Sequence, residues 1–188
     1  CTLAANNTKC NGNAQFFDTI MIYQSMSGDA DSGTSSFTMN GGSLISKNGH
    51  IFHVTNTNAV ITLSGVTLVN EDSDGILLSV CADGWSGAKN IATLTAQNQE
   101  LNGTILVGSD SSLTLNLTKD SVFTGAIHGS IQNASGKAIS DAVGSVFVTL
   151  DSSSTWKLTS DTYIDSFSGD ASRVYSNGFT LFVNGKAL

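Results

Sequence analysis

The sequence predicts an all-β fold, a right-handed parallel β-helix (solenoid) of about seven to eight coils, from three observations. The 188 residues contain no proline, the residue that lacks the N–H needed in a β ladder and is confined to edges, strand starts and bulges. Apolar and polar residues alternate with period two, as in half-buried strands, and helical periodicity is almost absent. Short strand-like segments followed by turn residues recur along the chain, which is typical of a solenoid.

The recurring unit is an alternating strand, a turn rich in glycine, and a second short strand. The first strands of four units are centred on Phe37, Ile61, Leu113 and Trp156. Their separations fit one coil of about 22–26 residues, with one coil, at 92–94 and at 146–148, inside each longer gap. We expect two inward ladders on one wall of the solenoid. They contain Phe37, Ile61, Leu113 and Trp156, and, two residues on, Met39, Leu63, Leu115 and Leu158.

Turn residues separate these strands, because Gly and Asn tolerate the left-handed conformations that tight corners need. The clearest turn pairs are Asn40-Gly41, Asp74-Gly75, Asn102-Gly103 and Asn177-Gly178. We expect a single domain over 1–188, with loops that leave the solenoid near 81–90 and 129–144. The strand-like opening of the chain indicates that this domain is the C-terminal part of a longer solenoid.

The charge pattern disfavours two classes of partner. Only 12% of the residues are charged, the net charge is −7, and Arg173 is the single arginine. Nucleic-acid binding and attachment to an anionic membrane both need clustered cations, which the chain lacks. No apolar run reaches the ~18–20 residues of a membrane span, so we expect no membrane insertion by this segment.

Three cysteines, Cys1, Cys10 and Cys81, leave at least one unpaired within the chain. Cys1 and Cys10 could close a loop, but spacing alone does not establish the geometry that a disulfide requires. Cys1 also stands where a mature lipoprotein carries its lipidated cysteine. We expect instead a chain that begins inside a longer protein, because residues 1–3 already have the pattern of a strand.

Several stretches resemble bacterial pectate-lyase-like β-helix repeat proteins, which are large secreted or surface proteins. These stretches are IYQSMSGDAD at 22–31, FTMNGG at 37–42 and HVTNT at 53–57. Towards the C-terminus, STWKLTSDTYIDSF at 154–167 and NGFTLFVNGKAL at 177–188 also resemble the closing coils of adhesin and autotransporter passengers. The resemblance implies the β-helix fold and a secreted or cell-surface location. It also implies a role in adhesion, surface display or extracellular structure.

The function we expect is therefore a non-catalytic structural or adhesive module. Its expected partners are host or bacterial surface glycans or proteins, and further copies of itself joined end to end, because an uncapped solenoid end exposes unpaired strands. The alternative is a carbohydrate-binding or carbohydrate-active β-helix, of the lyase or hydrolase type.

The acidic residues supply no complete catalytic group. Lyase chemistry on uronic acids needs carboxylates for calcium and a strong cation, yet no basic residue accompanies Glu71, Asp72 and Asp74 in sequence. Asp161 and Asp165, like Asp29 and Asp31, have the even spacing of a facing pair, but such pairs arise easily in Asp-rich turns. We therefore predict no catalytic residues and no cofactor, with Ca²⁺ at 29–31 or 71–74 left open.

Histidine spacing also disfavours a metal site. His50 and His53 are separated by an odd offset, which on a strand sends the side chains to opposite faces. We therefore expect turn or surface histidines, with His128 isolated.

Two aromatic residues and one acid complete the set of candidates. Trp156 occupies an inward position and is predicted to lie in the core, whereas Trp85 is flanked by glycines in a loop. Trp85, with the nearby Asp83, is the predicted ligand-binding pair; the alternative is a tryptophan folded over the rod. Ice binding would need a regular outward Thr-x-Thr ladder, and in the sequence only Thr93 and Thr95 clearly supply that spacing.

Overall fold

The computed structural model describes residues 2–5, 16–24, 33–83 and 90–188. These residues form strands, one 3₁₀ turn at Ala171–Arg173 and no α-helix, so none of the described elements is a helix that could cross a bilayer. Five residues discussed above lie outside the described ranges: Cys1, Cys10, Asp29, Asp31 and Trp85.

The strands are short and follow one another closely along the chain. Those of the first half are β1 Thr2–Ala5, β2 Asp18–Tyr23, β3 Thr34–Asn40, β4 Ser43–Ser46, β5 His50–Thr55, β6 Thr57–Ser64, β7 Thr67–Asn70, β8 Ile76–Val80, β9 Asn90–Gln97, β10 Glu100–Asn102 and β11 Thr104–Val107. Those of the second half are β12 Ser111–Thr118, β13 Val122–Thr124, β14 Ile127–His128, β15 Ser130–Gln132, β16 Ala138–Asp141, β17 Ser145–Leu150, β18 Thr155–Lys157, β19 Thr162–Ile164, β20 Ser166–Ser168, β21 Val174–Tyr175, β22 Leu181–Val183 and β23 Lys186–Ala187.

The fold is all-β, and most of its strands pair in parallel. The largest sheet has six strands in the order β20-β17-β12-β9-β6-β3, and a five-stranded sheet has the order β14-β11-β8-β5-β2. Smaller parallel groups are β1-β4-β7, β10-β13-β18-β21 and the pair β19-β22. Only β15-β16 and β22-β23 pair antiparallel among the described strands.

The chain visits these sheets in a repeating order. From β3 in the six-stranded sheet it passes to β4, then to β5 in the five-stranded sheet, and returns at β6 to pair with β3. The same circuit recurs through β7, β8 and β9, and then through β10, β11 and β12. The three strands of β1-β4-β7 and the four of β10-β13-β18-β21 mark the starts of seven passages of the described chain. The last two differ from the others, because β19 and β22 pair with each other outside the five-stranded sheet and the last passage has no strand in the six-stranded sheet.

The core is a set of apolar rows that run across the strands. In the six-stranded sheet one row joins Phe37, Ile61, Leu94, Leu115, Val148 and Phe167, which are register partners in successive strands. The prediction that 92–94 lies between the strands of Ile61 and Leu113 is confirmed. The segment 146–148 follows Leu113 in the same sheet, but its other neighbour is β20 and not the strand of Trp156. The predicted register was wrong by two residues, because Leu115 and not Leu113 follows Ile61 and Leu94 in this row.

Trp156 is fully buried, as predicted, but it lies on a different wall from Phe37 and Ile61. It belongs to β18, in a row with Leu101, Phe123 and Val174. Its indole stacks on the Phe123 ring at 5.5 Å between centroids, and its Nε1–H donates to the Gly125 carbonyl at 3.0 Å. The predicted row of Phe37, Ile61, Leu113 and Trp156 therefore combines residues of two sheets.

The corners are held by side chains that bond to the backbone of the neighbouring passage. The Asp72 carboxylate accepts from the Gly49 N–H, and that of Asp151 from the Lys119 N–H. Between β7 and β10 the Gln99 amide exchanges two hydrogen bonds of 2.7 Å with the backbone of Val66, in place of strand pairing. These contacts satisfy backbone groups that strand pairing leaves without a partner at the corners.

The predicted turns adopt the expected left-handed conformations. Positive φ angles occur at Gly41, Gly75 and Gly103, and at both members of the pair Asn177-Gly178. At Gly103 the space is also restricted, because a Cβ would lie 2.3 Å from the Gly75 carbonyl oxygen of the preceding passage. Close stacking of the passages thus requires glycine at that position.

The outward positions of the six-stranded sheet carry no charged residue. One outward row joins Thr38, Thr62, Thr95, Asn116, Thr149 and Ser168 across all six strands. The outward hydroxyl groups are therefore arranged more regularly than the sequence pattern indicated. They form a row across strands, which a search for Thr-x-Thr along each strand does not find.

The segment between β14 and β17 departs from the parallel pattern. It forms the antiparallel hairpin β15-β16, in which Ser130 pairs with Asp141 and Ile131 with Ser140. Its turn is fixed by Asn133, whose Oδ1 accepts from the N–H groups of Ser135 and Lys137.

Truncation of the central apolar row should be costly. Leu94→Ala, at a fully buried position, should lower the free energy of unfolding by about 2–5 kcal/mol, because it removes packing on both neighbouring passages. Thr95→Ala, the adjacent outward position, should change it by at most about 0.5 kcal/mol. Urea unfolding of both variants measures the difference, and equal losses would contradict this inward-outward assignment.

A side chain at Gly103 should destabilise the stacking of two passages. Gly103→Ala should cost about 2 kcal/mol or more, because it combines an unfavourable φ with a clash against backbone. Gly41→Ala meets no atom within 4 Å and should cost only about 1 kcal/mol from its left-handed φ. Thermal unfolding of the pair provides the comparison, and an equal or smaller loss for Gly103→Ala would contradict the close approach.

Candidate functional site

A cleft of about 290 Å³ lies where the β15-β16 hairpin approaches the start of β5. Four segments far apart in sequence form its walls. The residues that line it are Phe16, Phe17, Gly49, His50, Asp72, Asp74, Gln132, Asn133, Ala134 and Gly136. No lysine or arginine is among them, so the charge of the cleft comes from two carboxylates.

A buried polar cluster lies behind the cleft. His50 and His53 both place Nδ1 2.7 Å from the Ser79 Oγ. Both His53 and Ser79 are fully buried, and the Phe16 ring lies 4.6 Å from the His53 ring and 5.6 Å from the His50 ring. The prediction of turn or surface histidines on opposite faces was therefore wrong.

The local backbone explains why the two histidines converge. Ile51 and Phe52 are both buried, so the inward-outward alternation does not hold at the start of β5. His50 directly follows Gly49, whose positive φ turns the chain against the Phe17 backbone, and the His50 N–H donates to the Phe17 carbonyl at 2.8 Å. The odd offset between His50 and His53 therefore no longer separates the side chains.

Register places Ser79 next to His53. These two residues are partners in β8 and β5, and the outward row continues through Leu106 to His128. At the end of the row, the His128 Nε2 lies 2.7 Å from the Ser160 Oγ. The outward row of this sheet thus includes two histidines and a serine beside the apolar Leu106. The inward positions Phe52 and Leu78 are apolar and buried.

Burial keeps both histidines of the cluster uncharged at neutral pH. It lowers the pKa of His50 from 6.5 to about 4, although the negative charges of Asp72 and Asp74 act in the opposite direction. Burial, with a smaller contribution from His50, lowers the pKa of His53 to about 3. The His53 Nε2 is buried and has no hydrogen-bond partner among the described residues.

The acidic stretch at 71–74 is largely occupied with local structure. Asp72 accepts from the Gly49 N–H at 2.6 Å through Oδ2 and from the Asp74 N–H at 2.9 Å through Oδ1. Glu71 forms an ion pair with Lys47, a basic partner that is 24 residues away in sequence. Within the described ranges, no group of three or more His, Cys, Asp or Glu side chains is arranged to hold a metal ion.

Asp83, one of the two predicted ligand-binding residues, is 4% exposed. It lies near two other groups. Burial, and then the charge of Asp83, raises the pKa of Asp18 from 3.8 to about 6 and that of the Cys81 thiol to about 12. Its predicted partner Trp85 lies outside the described residues.

Asp161 and Asp165, which have the even spacing of a facing pair, both bind backbone groups. The Asp161 Oδ1 accepts from the Thr180 N–H at 2.8 Å, and the Asp165 Oδ2 accepts from the Val146 N–H at 2.7 Å. Each bond joins one passage of the chain to another, as at the other corners.

No family model, no curated protein and no solved structure matches this chain.

The two histidines should make stability depend on pH. Their pKa values are lowered by folding, so the unfolded chain takes up protons that the folded chain does not, and stability should fall as the pH drops from 6.5 towards 4. Asp18 has the opposite effect, because folding raises its pKa from 3.8 to about 6 and its contribution to stability therefore increases as the pH drops through that range. We expect the two histidines to outweigh this single carboxyl group. Urea midpoints from pH 4 to 7 measure the net effect.

The double substitution His50→Gln and His53→Gln isolates this contribution. It should remove the loss of stability towards pH 4 and leave the opposite trend of Asp18. A wild-type slope retained in the double variant would contradict the assignment to these histidines.

Proposed function

We propose that the chain is a segment of right-handed parallel β-helix and serves as a non-catalytic structural or adhesive module of a secreted or cell-surface protein. The observation that carries the fold is the recurrence of the same circuit through parallel strands, with partners in successive passages joined across the six-stranded sheet. Parallel strands joined by crossovers within one sheet are right-handed in about 98% of cases.

The seven passages correspond to seven coils in this proposal. At about 4.8 Å per coil, they form a rod about 35 Å long. A rod whose core is continuous from coil to coil suits a stalk or a fibre, because each coil is stabilised only by its neighbours and length can be added freely.

Low surface charge supports the same role. The outward row that contains Thr38, Thr62 and Thr95 presents hydroxyl groups without charge. Such a face offers many hydrogen-bonding groups to neutral polymers and does not repel a second copy.

The buried position of Ser79 supports the non-catalytic part of the proposal. Ser79, which is held between two imidazoles, is fully buried, so its hydroxyl is out of reach of a polymer substrate.

Self-association through the coil ends is part of the proposal. Among the described strands, β3 and β20 each have a neighbour on one side only. An edge strand presents unpaired N–H and C=O groups and can pair with another chain.

Adhesion and shape can be tested together on the full chain. Beads coated with it should be retained under flow on surfaces coated with mucin or with cell-wall polysaccharide, whereas albumin-coated beads should not. Light scattering and negative-stain imaging should show short rods or end-to-end filaments. Release of soluble saccharides from these polysaccharides, or compact particles without bead retention, would contradict the proposal.

A further inference from the structure

We propose that the cleft between the hairpin and the start of β5 binds one ring of an uncharged saccharide. The inference rests on the proposed adhesive function, to which it adds a site and a ligand class. The volume of the cleft, about 290 Å³, is at the lower end of the range for small-molecule sites. The cleft therefore fits one ring of a longer glycan and not an extended chain.

Charge excludes one class of ligand. Asp72 and Asp74 line the cleft, no cation accompanies them there, and His50 carries no positive charge at neutral pH. A phosphate, a sulfate or a uronate would be repelled. The ligand is therefore neutral or cationic.

The apolar part of the cleft comes from Phe16 and Phe17. Phe16 also packs against the rings of His50 and His53, which hold it in place from behind. An aromatic ring that lines a cleft in this way provides a surface on which the C–H groups of a sugar ring can pack.

The buried cluster determines which proton His50 carries. Two imidazole nitrogens share the Ser79 hydroxyl, which has one proton and two acceptor lone pairs, so at least one histidine donates to Oγ. The Ser79 proton has no other acceptor among the described residues, so we assign it to the second histidine. Buried N–H groups without a partner are rarer than buried acceptors without one. The unpartnered His53 Nε2 is therefore the bare acceptor, and the His53 Nδ1–H donates to Ser79.

This chain of hydrogen bonds, which we call the proton relay, continues from Ser79 through His50 to the cleft. Ser79 donates its proton to the His50 Nδ1, and the His50 proton is on Nε2. His50 lines the cleft, so Nε2–H is the donor that its ring can offer to a ligand oxygen. Ser79 and His53 are positioning residues in this arrangement, because both are fully buried and act through His50.

The rim supplies acceptors and a second donor. The Asp74 carboxylate is exposed and accepts no hydrogen bond from the described residues, unlike that of Asp72, and the exposed Gln132 amide lies on the hairpin side of the cleft. A sugar hydroxyl both donates and accepts, so it can satisfy a carboxylate, an amide and an imidazole N–H together. A simple alkylammonium ion such as tetramethylammonium has no acceptor for the His50 N–H, which favours the saccharide over that class of cation.

Binding can be measured on the full chain by saturation-transfer NMR and calorimetry. The probes are glucose, galactose, mannose, N-acetylglucosamine, lactose and cellobiose, with tetramethylammonium as the cation and galacturonate as the anion. At least one neutral saccharide should bind. Asp74→Asn should weaken that binding about tenfold or more, because a hydrogen bond to a charged group is lost.

Asp120→Asn is the matched control, since it makes the same change at an exposed position outside the cleft and should leave affinity unchanged. Binding of tetramethylammonium without any saccharide would overturn the ligand class. Failure of every neutral probe, or equal affinity in both variants, would overturn the site.

The proton relay has its own readout. Long-range ¹⁵N–¹H spectra of the imidazoles should show His53 protonated on Nδ1 and His50 on Nε2, and the reverse pair of tautomers would overturn the relay. Ser79→Ala should lower saccharide affinity without altering any residue that lines the cleft, and should mix the His50 tautomers. An unchanged His50 tautomer and affinity in that variant would also contradict the role of Ser79.

These results can be separated from the test of the adhesive module. If the site is wrong but the module is right, beads coated with the Asp74→Asn variant will adhere as well as the wild type. If the module is wrong but the site is right, the soluble chain will bind a saccharide although coated beads are not retained.

Discussion

Parallel pairing between successive passages of the chain is the constraint on which the rest of the structure depends. A strand of the six-stranded sheet such as β9 is paired on both sides, by β6 and by β12, so its backbone groups are bonded to neighbouring passages. That arrangement leaves no place for proline inside it. It also brings the backbone of Gly103 against that of Gly75. At the corners, where strand pairing stops, side chains such as Asp72 and Gln99 must accept hydrogen bonds from the backbone N–H groups.

The candidate site arises where an outward face is covered. His53 and Ser79 occupy outward positions of the five-stranded sheet, yet Phe16 packs on this side and the β15-β16 hairpin closes the neighbouring cleft. Polar groups removed from water in this way must bond to one another and stay uncharged. The shared hydroxyl of Ser79 and the lowered pKa values of the histidines are two consequences of the same burial.

The sequence predicted strands, turns and the buried Trp156 because each depends on local alternation or on a glycine conformation. It did not determine the register, since Leu113, Leu115 and Leu117 are all apolar with period two and a shift by two residues preserves the pattern. The passages also differ in length, so a fixed repeat length does not identify the register partners either. The cluster of His50, His53 and Ser79 was missed because alternation fails at the start of β5 and because pairing brings β8 alongside.

Backbone NOEs across the six-stranded sheet test the central claim most directly. In a uniformly labelled sample, parallel pairing predicts cross-strand contacts that place Leu94 between Ile61 and Leu115. Antiparallel contacts, or a register that places Leu113 beside Leu94, would contradict the account of the core and with it the positions of the outward rows.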